Sequence, residues 1–453
     1  MRPREAARKT LHAVLADGAF SNDALSECFR NAQELSSDDR RFTEYLVWTV
    51  LKNHLSLLDV IRKTASVHPE KMKPGIREIL LLGSCELLFM HTPDYAVLNE
   101  YVRMAKKAGF QGLSGFVNAV LRNIAENGNR LLSAQEGALF VSFPEELYSD
   151  IRAWYPEQAD RIFQWFQKDR TEGIWIRRNR SRASHQELLD ALRKEEREAV
   201  PSAFAEDVYL LKNAGGLSVS PAFMKGLFTV QDHSSSLSTD AVRDLFAPDR
   251  KTFSVLDACA SPGGKTLHAA DLMEALMPDT EKELVSCDLT ERKTERIREN
   301  ADRCSFSFIR TMIRDASVWD PAFSSRFDLV ILDVPCSGIG VIGKRPEIRM
   351  HADREARKQL SLIQAGILHC QAGYVKPGGT LLYSTCTIAP EENHLQVRSF
   401  LDTHPEFEPE GFGNNLGAAF SDQPGPDRGC FQILPGQFGS DGFFMARMRK
   451  REC

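Results

Sequence analysis

Two cysteines stand in short polar motifs at the ends of apolar runs. Cys336 lies in Asp333-Val334-Pro335-Cys336-Ser337-Gly338 and Cys386 in Ser384-Thr385-Cys386-Thr387. The preceding segments, 327–332 and 379–383, read as buried parallel strands. A cysteine inside a core strand would be bland, whereas one in a proline- or threonine-flanked turn above a parallel sheet is a candidate nucleophile. No histidine partner is apparent beside either, which disfavours a papain-like hydrolase.

A glycine loop, Asp257-Ala258-Cys259-Ala260-Ser261-Pro262-Gly263-Gly264-Lys265-Thr266, joins an earlier strand to a helix. Paired glycines let a ligand approach the backbone, and a helix N-terminus attracts an anionic group. The ending Gly264-Lys265-Thr266 imitates a phosphate-binding P-loop, but Cys259 occupies the position where that motif needs glycine. The dinucleotide spacing is absent as well. Asp288 ends the next strand, where an acid can reach ribose hydroxyls, and Asp315 follows the third. A loop without phosphate chemistry, with acids for ribose and base, suits an adenosine ligand with a zwitterionic tail. S-adenosylmethionine fits that description. The plainer alternative is that each aspartate only caps a turn or helix.

Two thiols and an acid beside such a cofactor suit methylation of cytosine at carbon 5. That carbon is a weak nucleophile. A thiolate adding at carbon 6 makes it reactive, a base must then remove the carbon-5 proton, and an acid near ring nitrogen 3 stabilises the charge. Asp333 is placed in sequence for the last role. Which cysteine attacks is not decided by spacing, although Pro335-Cys336 matches the dipeptide used by DNA cytosine methyltransferases.

The elements that must position these residues follow from periodicity. Strand-like segments 254–257, 283–288, 308–312, 327–333 and 379–384 alternate with helices, which predicts a doubly wound, mainly parallel sheet over residues 229–453. Ligands of such sheets bind beyond the carboxyl ends of the strands. Residues 1–130 carry helical periodicity, with breaks at Pro74, Gly75, Pro93, Gly109 and Gly112, and predict an all-helical bundle. Residues 131–228 mix helical segments with a short strand near Ile174-Trp175-Ile176 and predict a small α/β linking domain.

At 453 residues the chain has room for about two to four domains. Its 42% hydrophobic and 26% charged content is that of a soluble globular protein. No signal peptide precedes the first helix, and the apolar run 79–90 is too short to span a bilayer and is broken by Glu86, so a cytosolic protein without membrane contact is expected. Ten cysteines without a C-x-x-C pair predict reduced thiols and no metal site. The net charge of −5 weakly opposes a nucleic-acid partner, but a local basic stripe can carry phosphate binding in an acidic multidomain chain.

The segments 256–266, 328–342 and 376–387, with Glu391-Glu392-Asn393, Gln231-Asp232-His233-Ser234-Ser235 and Asp441-Gly442-Phe443-Phe444-Met445-Ala446, resemble the RsmB/Sun family of RNA 5-methylcytosine methyltransferases. Arg4-Glu5-Ala6-Ala7, Asp39-Arg40-Arg41-Phe42 and Phe116-Val117-Asn118-Ala119-Val120-Leu121-Arg122 resemble the NusB-type helical domain of its RsmB branch. The resemblance implies a NusB-like RNA-binding domain, a linking domain and a class I, Rossmann-like methyltransferase acting on a cytosine of small-subunit (16S) ribosomal RNA, as a monomer. It implies Cys386 as nucleophile, Cys336 as the thiol that assists product release, and Asp333 against the base. Cys259, Ala260, Ser261, Pro262, Gly263, Gly264 and Lys265 would hold the methionine end, with Asp288, Arg292 and Asp315 for ribose and adenine and Asp333 beside them. Ser261 replaces a usual alanine. Gly343 replaces a commonly basic residue, so RNA contact is expected at Lys344, Arg345 and Arg349, with Arg122 on the helical domain. The rival expectations are another RNA such as transfer RNA, a DNA substrate, or an RNA-binding protein with an inactive methyltransferase fold.

Overall fold

The computed structural model describes residues 1–168, 173–416 and 428–452. Contacts divide the chain into two compact units, residues 1–168 with 342–353, and residues 169–341 with 354–453.

The first unit is helical: α1 (Pro3–Leu15), α2 (Ser21–Asn31), α3 (Ser37–Lys52), α4 (His54–Thr64), α5 (Pro74–Leu88), α6 (Asp94–Lys107), α7 (Ser114–Ser133), α8 (Gly137–Phe140), α9 (Glu145–Trp154) and α10 (Ala159–Gln167). Local signals start several of them. Ser36 and Asp39 close a capping box on α3, and proline opens α1 and α5. The apolar run singled out above lies largely on α5, the buried centre of the bundle, packed along α7. A Cβ on Gly83 or Gly128 would come within 2.8 Å of the facing leucine, Leu121 or Leu88 respectively, so both glycines let α5 and α7 approach closely. Glu86 interrupts this run at no cost in unpaired charge, because Arg4 donates to both its oxygens at 2.6 Å and Tyr101 donates as well.

Helices α8 to α10 group by contacts with this bundle. One contact that joins them is long-range in sequence: Ser142 Oγ accepts from the backbone amides of Leu55 and Ser56 at the start of α4, at 3.0 and 3.3 Å.

The second unit begins with a small antiparallel sheet, strands β1 (Ile174–Arg178), β2 (Ala199–Pro201), β3 (Val208–Leu211) and β4 (Phe228–Val230) in the order 2-3-1-4, with α11 (His185–Lys194) and the short α12 (Pro221–Met224). Then follow α13 (His233–Asp240), β5 (Thr252–Asp257), α14 (Gly264–Leu276), β6 (Glu281–Asp288), α15 (Glu291–Arg303), β7 (Ile309–Ile313), β8 (Phe327–Asp333), α16 (Arg354–Ala372), β9 (Val375–Thr385), α17 (His394–Thr403), β10 (Phe407–Pro409), β11 (Cys430–Ile433) and β12 (Phe443–Lys450). Strands run 10-12-9-8-5-6-7, with β11 also on β12. The five strands from β9 to β7 are mutually parallel, and β12 adds antiparallel to β9. The chain builds outward from β5 to β7 and then crosses to β8 on the other side. The strand order therefore reverses at β5, and the crevice above its carboxyl end is the expected ligand position. Arg177 of β1 ties the small sheet to α14 through a buried ion pair with Asp271 at 2.9 Å.

No helix among the described residues is long and apolar enough to cross a membrane.

Candidate active site

Strand β5 ends in Asp257, which is fully buried. Its Oδ2 accepts from Thr266 Oγ1 at 2.7 Å, while Oδ1 has no partner among the described residues. Burial pushes this carboxyl up to about 7, against the opposing effects of Thr266 and Lys265. The loop that follows is held by Ala260 N–H to Cys287 O at 2.9 Å and Gly263 N–H to Ala260 O at 2.7 Å. Gly263 sits at φ +106°, a conformation that needs glycine, and delivers the chain to α14 at Gly264. Ser261 N–H donates to Asp288 Oδ2 at 2.9 Å, joining the loop to the end of β6. Cys259 is no nucleophile here: burial raises its thiol well above the ordinary value.

Asp288 also accepts from Leu289 N–H at 2.7 Å and from Lys293 Nζ at 2.9 Å. The cation on this acid is thus Lys293, whereas Arg292 is exposed on the first turn of α15. Arg314 N–H donates to Asp288 O at 2.9 Å and so places Asp315 next to Asp288. Asp315 is exposed and accepts from Ser317 N–H and Oγ at 2.9 and 2.6 Å, contacts that hold its carboxyl below the usual range. Leu289 and Ile313, 58% and 55% exposed, form apolar lips at the ends of β6 and β7. Sequence reasoning missed them, although an apolar residue directly after Asp288 and another two residues before Asp315 were usable signals.

Strands β8 and β9 pair in register, Asp333 opposite Ser384, so both cysteine loops leave the sheet at the same edge. Cys336 Sγ and Cys386 Sγ lie 3.4 Å apart. Ser337 Oγ and Thr387 Oγ1 meet at 2.7 Å and tie the two loops together. Contact with Cys386, then burial, raises the Cys336 thiol well above its ordinary value. Asp333 accepts from Ser384 Oγ at 3.0 Å and pairs with Lys265 Nζ at 2.7 Å. Lys265 is nearly buried, reaches Ser235 Oγ at 3.1 Å, and lies 5.1 Å above the Phe443 ring. The loop lysine therefore connects the cofactor loop to the cysteine loops. Asn393 braces the Cys386 turn by accepting from Thr385 Oγ1 at 2.6 Å and donating to Thr387 O at 3.0 Å. These braces come from a Glu-Glu-Asn turn whose importance was visible only as a resemblance, because nothing in its spacing announces a contact with either cysteine.

Of the residues expected to meet RNA, Arg122 and Arg345 are exposed and Lys344 is half-buried. Arg345 stacks over Phe20, 5.3 Å from its centroid. Arg349 corrects the expectation. It is 1% exposed, donates to the carbonyls of Lys52, Ser142 and Pro346 at 2.8, 3.0 and 3.1 Å, and lies over Phe143. Burial pushes its guanidinium down to about 9. It closes the helical unit and is not available to a phosphate.

Comparison with known proteins matches residues 244–449 to the 16S rRNA methyltransferase RsmB/F family, residues 1–126 to the NusB family, and residues 143–218 to the ferredoxin-like domain of RsmF/B-like methyltransferases. Over 99% of its length the chain is 34% identical to the probable ribosomal RNA small subunit methyltransferase B of Bacillus subtilis (strain 168), covering 98% of that protein. The chain belongs to the RsmB/F methyltransferase family. The ribosomal RNA small subunit methyltransferase B of Shewanella oneidensis is 31% identical, with 99% of each chain covered. The crystal structure of PH0851 superposes with a TM-score of 0.81 at 25% identity, covering 99% of both chains. The three expected parts, a NusB-type helical domain, a ferredoxin-like linker and a Rossmann-like methyltransferase domain, are therefore all present. The methyl donor of such an enzyme is S-adenosylmethionine, and this RsmB/F site fits it. Gly263 opens the backbone, Asp288 and Asp315 stand at adjacent strand ends, Leu289 and Ile313 offer flat apolar contact, and Asp257 keeps one buried oxygen without a partner among the described residues. Among the described residues no cluster of side chains could hold a metal ion.

Proposed function

We propose that this RsmB/F family member methylates carbon 5 of a cytosine in small-subunit ribosomal RNA through a covalent adduct with Cys386. The observation that carries the reading is the pair of thiols 3.4 Å apart at the ends of β8 and β9, beside Asp333. S-adenosylmethionine would supply an electrophilic methyl group, the broken S–C bond leaving its electrons on the sulfur of S-adenosylhomocysteine. Cys386 Sγ forms a bond to carbon 6 of the ring, and the displaced π electrons make carbon 5 nucleophilic. Asp333 faces ring nitrogen 3 and stabilises the charge that develops on addition. Carbon 5 then takes the methyl group. A base then takes the carbon-5 proton, the C–H electrons re-form the ring double bond and expel Cys386 Sγ as a thiolate, and Cys336 assists this release. The target base must leave its stack to reach both thiols. The small-subunit target is supported by relatives, matched over nearly their whole length, that are named ribosomal RNA small subunit methyltransferase B. In the helical unit, exposed Arg122 and Arg345, with Lys344, supply positive charge for the RNA backbone.

The two cysteines give a clear contrast. Cys336→Ala should accumulate a denaturation-resistant protein–RNA adduct on gel electrophoresis, whereas Cys386→Ala should form none. An adduct in the second variant and none in the first would exchange their roles.

A further inference from the structure

Pro335-Cys336-Ser337 is held on both sides of the cysteine. Glu392, at the end of the turn Pro390–Glu392 and fully buried, accepts from Ser337 N–H through Oε2 at 2.8 Å. Gln364 of α16 donates to that same oxygen at 3.0 Å and to Pro335 O at 2.9 Å. Tyr383 of β9 donates to Gln364 Oε1 at 3.3 Å and to Glu392 O at 2.7 Å. Glu392 Oε1 has no partner among the described residues. A carboxyl group is thus fixed against the backbone of the cysteine next to it, with one oxygen left over. That is more than a structural clamp needs, since a neutral amide could accept from Ser337 equally well.

Two thiols at 3.4 Å cannot both ionise, so one negative charge must be assigned between them. Contact with Cys386 and burial oppose a charge on Cys336 most, and the carboxylates of Glu392 and Asp333 add to them. Burial raises the Glu392 carboxyl, while the hydrogen bonds from Ser337 and Gln364 favour its charged form. Asp333 is paired with Lys265, whereas the groups that donate to the Glu392 carboxyl, Ser337 N–H and Gln364 Nε2, are neutral. We infer that Glu392 is a positioning residue that biases which cysteine is the nucleophile: before the base is attacked, its carboxylate favours Cys336 as a thiol and leaves the negative charge to Cys386. The division of labour is then a property of the fold around Cys336 as well as of the motif around Cys386. This inference rests on the reading of the two cysteines given above.

Thiol reactivity tests it without RNA. The intact protein is treated with iodoacetamide at near-neutral pH, and alkylation of the two cysteine peptides is followed by mass spectrometry. The wild type should modify Cys386 well ahead of Cys336. Glu392→Gln keeps an acceptor for Ser337 N–H but removes the charge, and should raise the Cys336 rate about tenfold, because alkylation tracks the thiolate fraction. Glu392→Ala removes acceptor and charge together. A shift in Glu392→Ala but not in Glu392→Gln would mean that the clamp alone matters, and would overturn the inference. So would faster alkylation of Cys336 in the wild type, a result that holds even if neither variant folds. If the wild type shows the expected order but fails to methylate RNA, the proposed reaction falls while the charge assignment stands.

Discussion

Asp257 carries a measurable consequence of burying an acid in a cofactor loop. Its carboxyl stands at about 7 when folded, against roughly 4 in an unfolded chain. Between those values the folded state holds a proton that the unfolded state has released. Stability from this group is therefore full below about pH 4 and is lost as pH rises through about 7. Asp257→Asn has no such proton. The difference in urea midpoint between wild type and Asp257→Asn should shift against the wild type from about pH 5 to about pH 8. A gap that does not change with pH would contradict the assigned protonation. At this scale the sequence was informative wherever a residue's role is set by its own motif: Cys336, Cys386, Asp333, Asp288 and the glycine loop meet at one edge of the sheet. It was silent where the partner arrives from far along the chain. Ser235 and Phe443 on Lys265, and Glu392 beside Cys336, are all tertiary contacts that no local spacing announces.

The strand ends convert these residues into a site. Strands expected at 254–257, 283–288, 308–312, 327–333 and 379–384 are all present with small shifts at their boundaries, because their apolar runs match a sheet buried on both faces. The small strands β2, β3, β4, β10 and β11 and the antiparallel β12 were not anticipated, being short or lacking a clear alternation. One close approach fixes where the Cys386 strand ends. Gly340 N–H donates to Cys386 O at 3.1 Å, and a Cβ there would stand 2.7 Å from that oxygen and 2.4 Å from Gly442 O. Gly340→Ala must push β9, β12 or the 338–341 turn aside. It should cost about 1–3 kcal/mol in urea unfolding and lower methyl transfer at least tenfold by moving Cys386. Unchanged activity and stability would mean that the three segments yield more easily than their packing indicates.

On the scale of the molecule, the helical bundle and the parallel sheet were legible because each writes one period over a long stretch. What was hidden was the return of residues 342–353 to the helical unit, where Arg349 spends its donors on backbone carbonyls. A cluster of Lys344, Arg345 and Arg349 reads as one basic patch in sequence and divides into exposed and buried members in three dimensions. The central claim joins both units to one reaction, methylation of a cytosine in small-subunit ribosomal RNA. Its most direct measurement uses the full-length protein, methyl-labelled S-adenosylmethionine and unmethylated small-subunit ribosomal RNA. The RNA is then digested to nucleosides and separated. Label recovered as 5-methylcytidine, and lost with Cys386→Ala, is the expected result. Label in any other nucleoside, or none in the RNA, would contradict it.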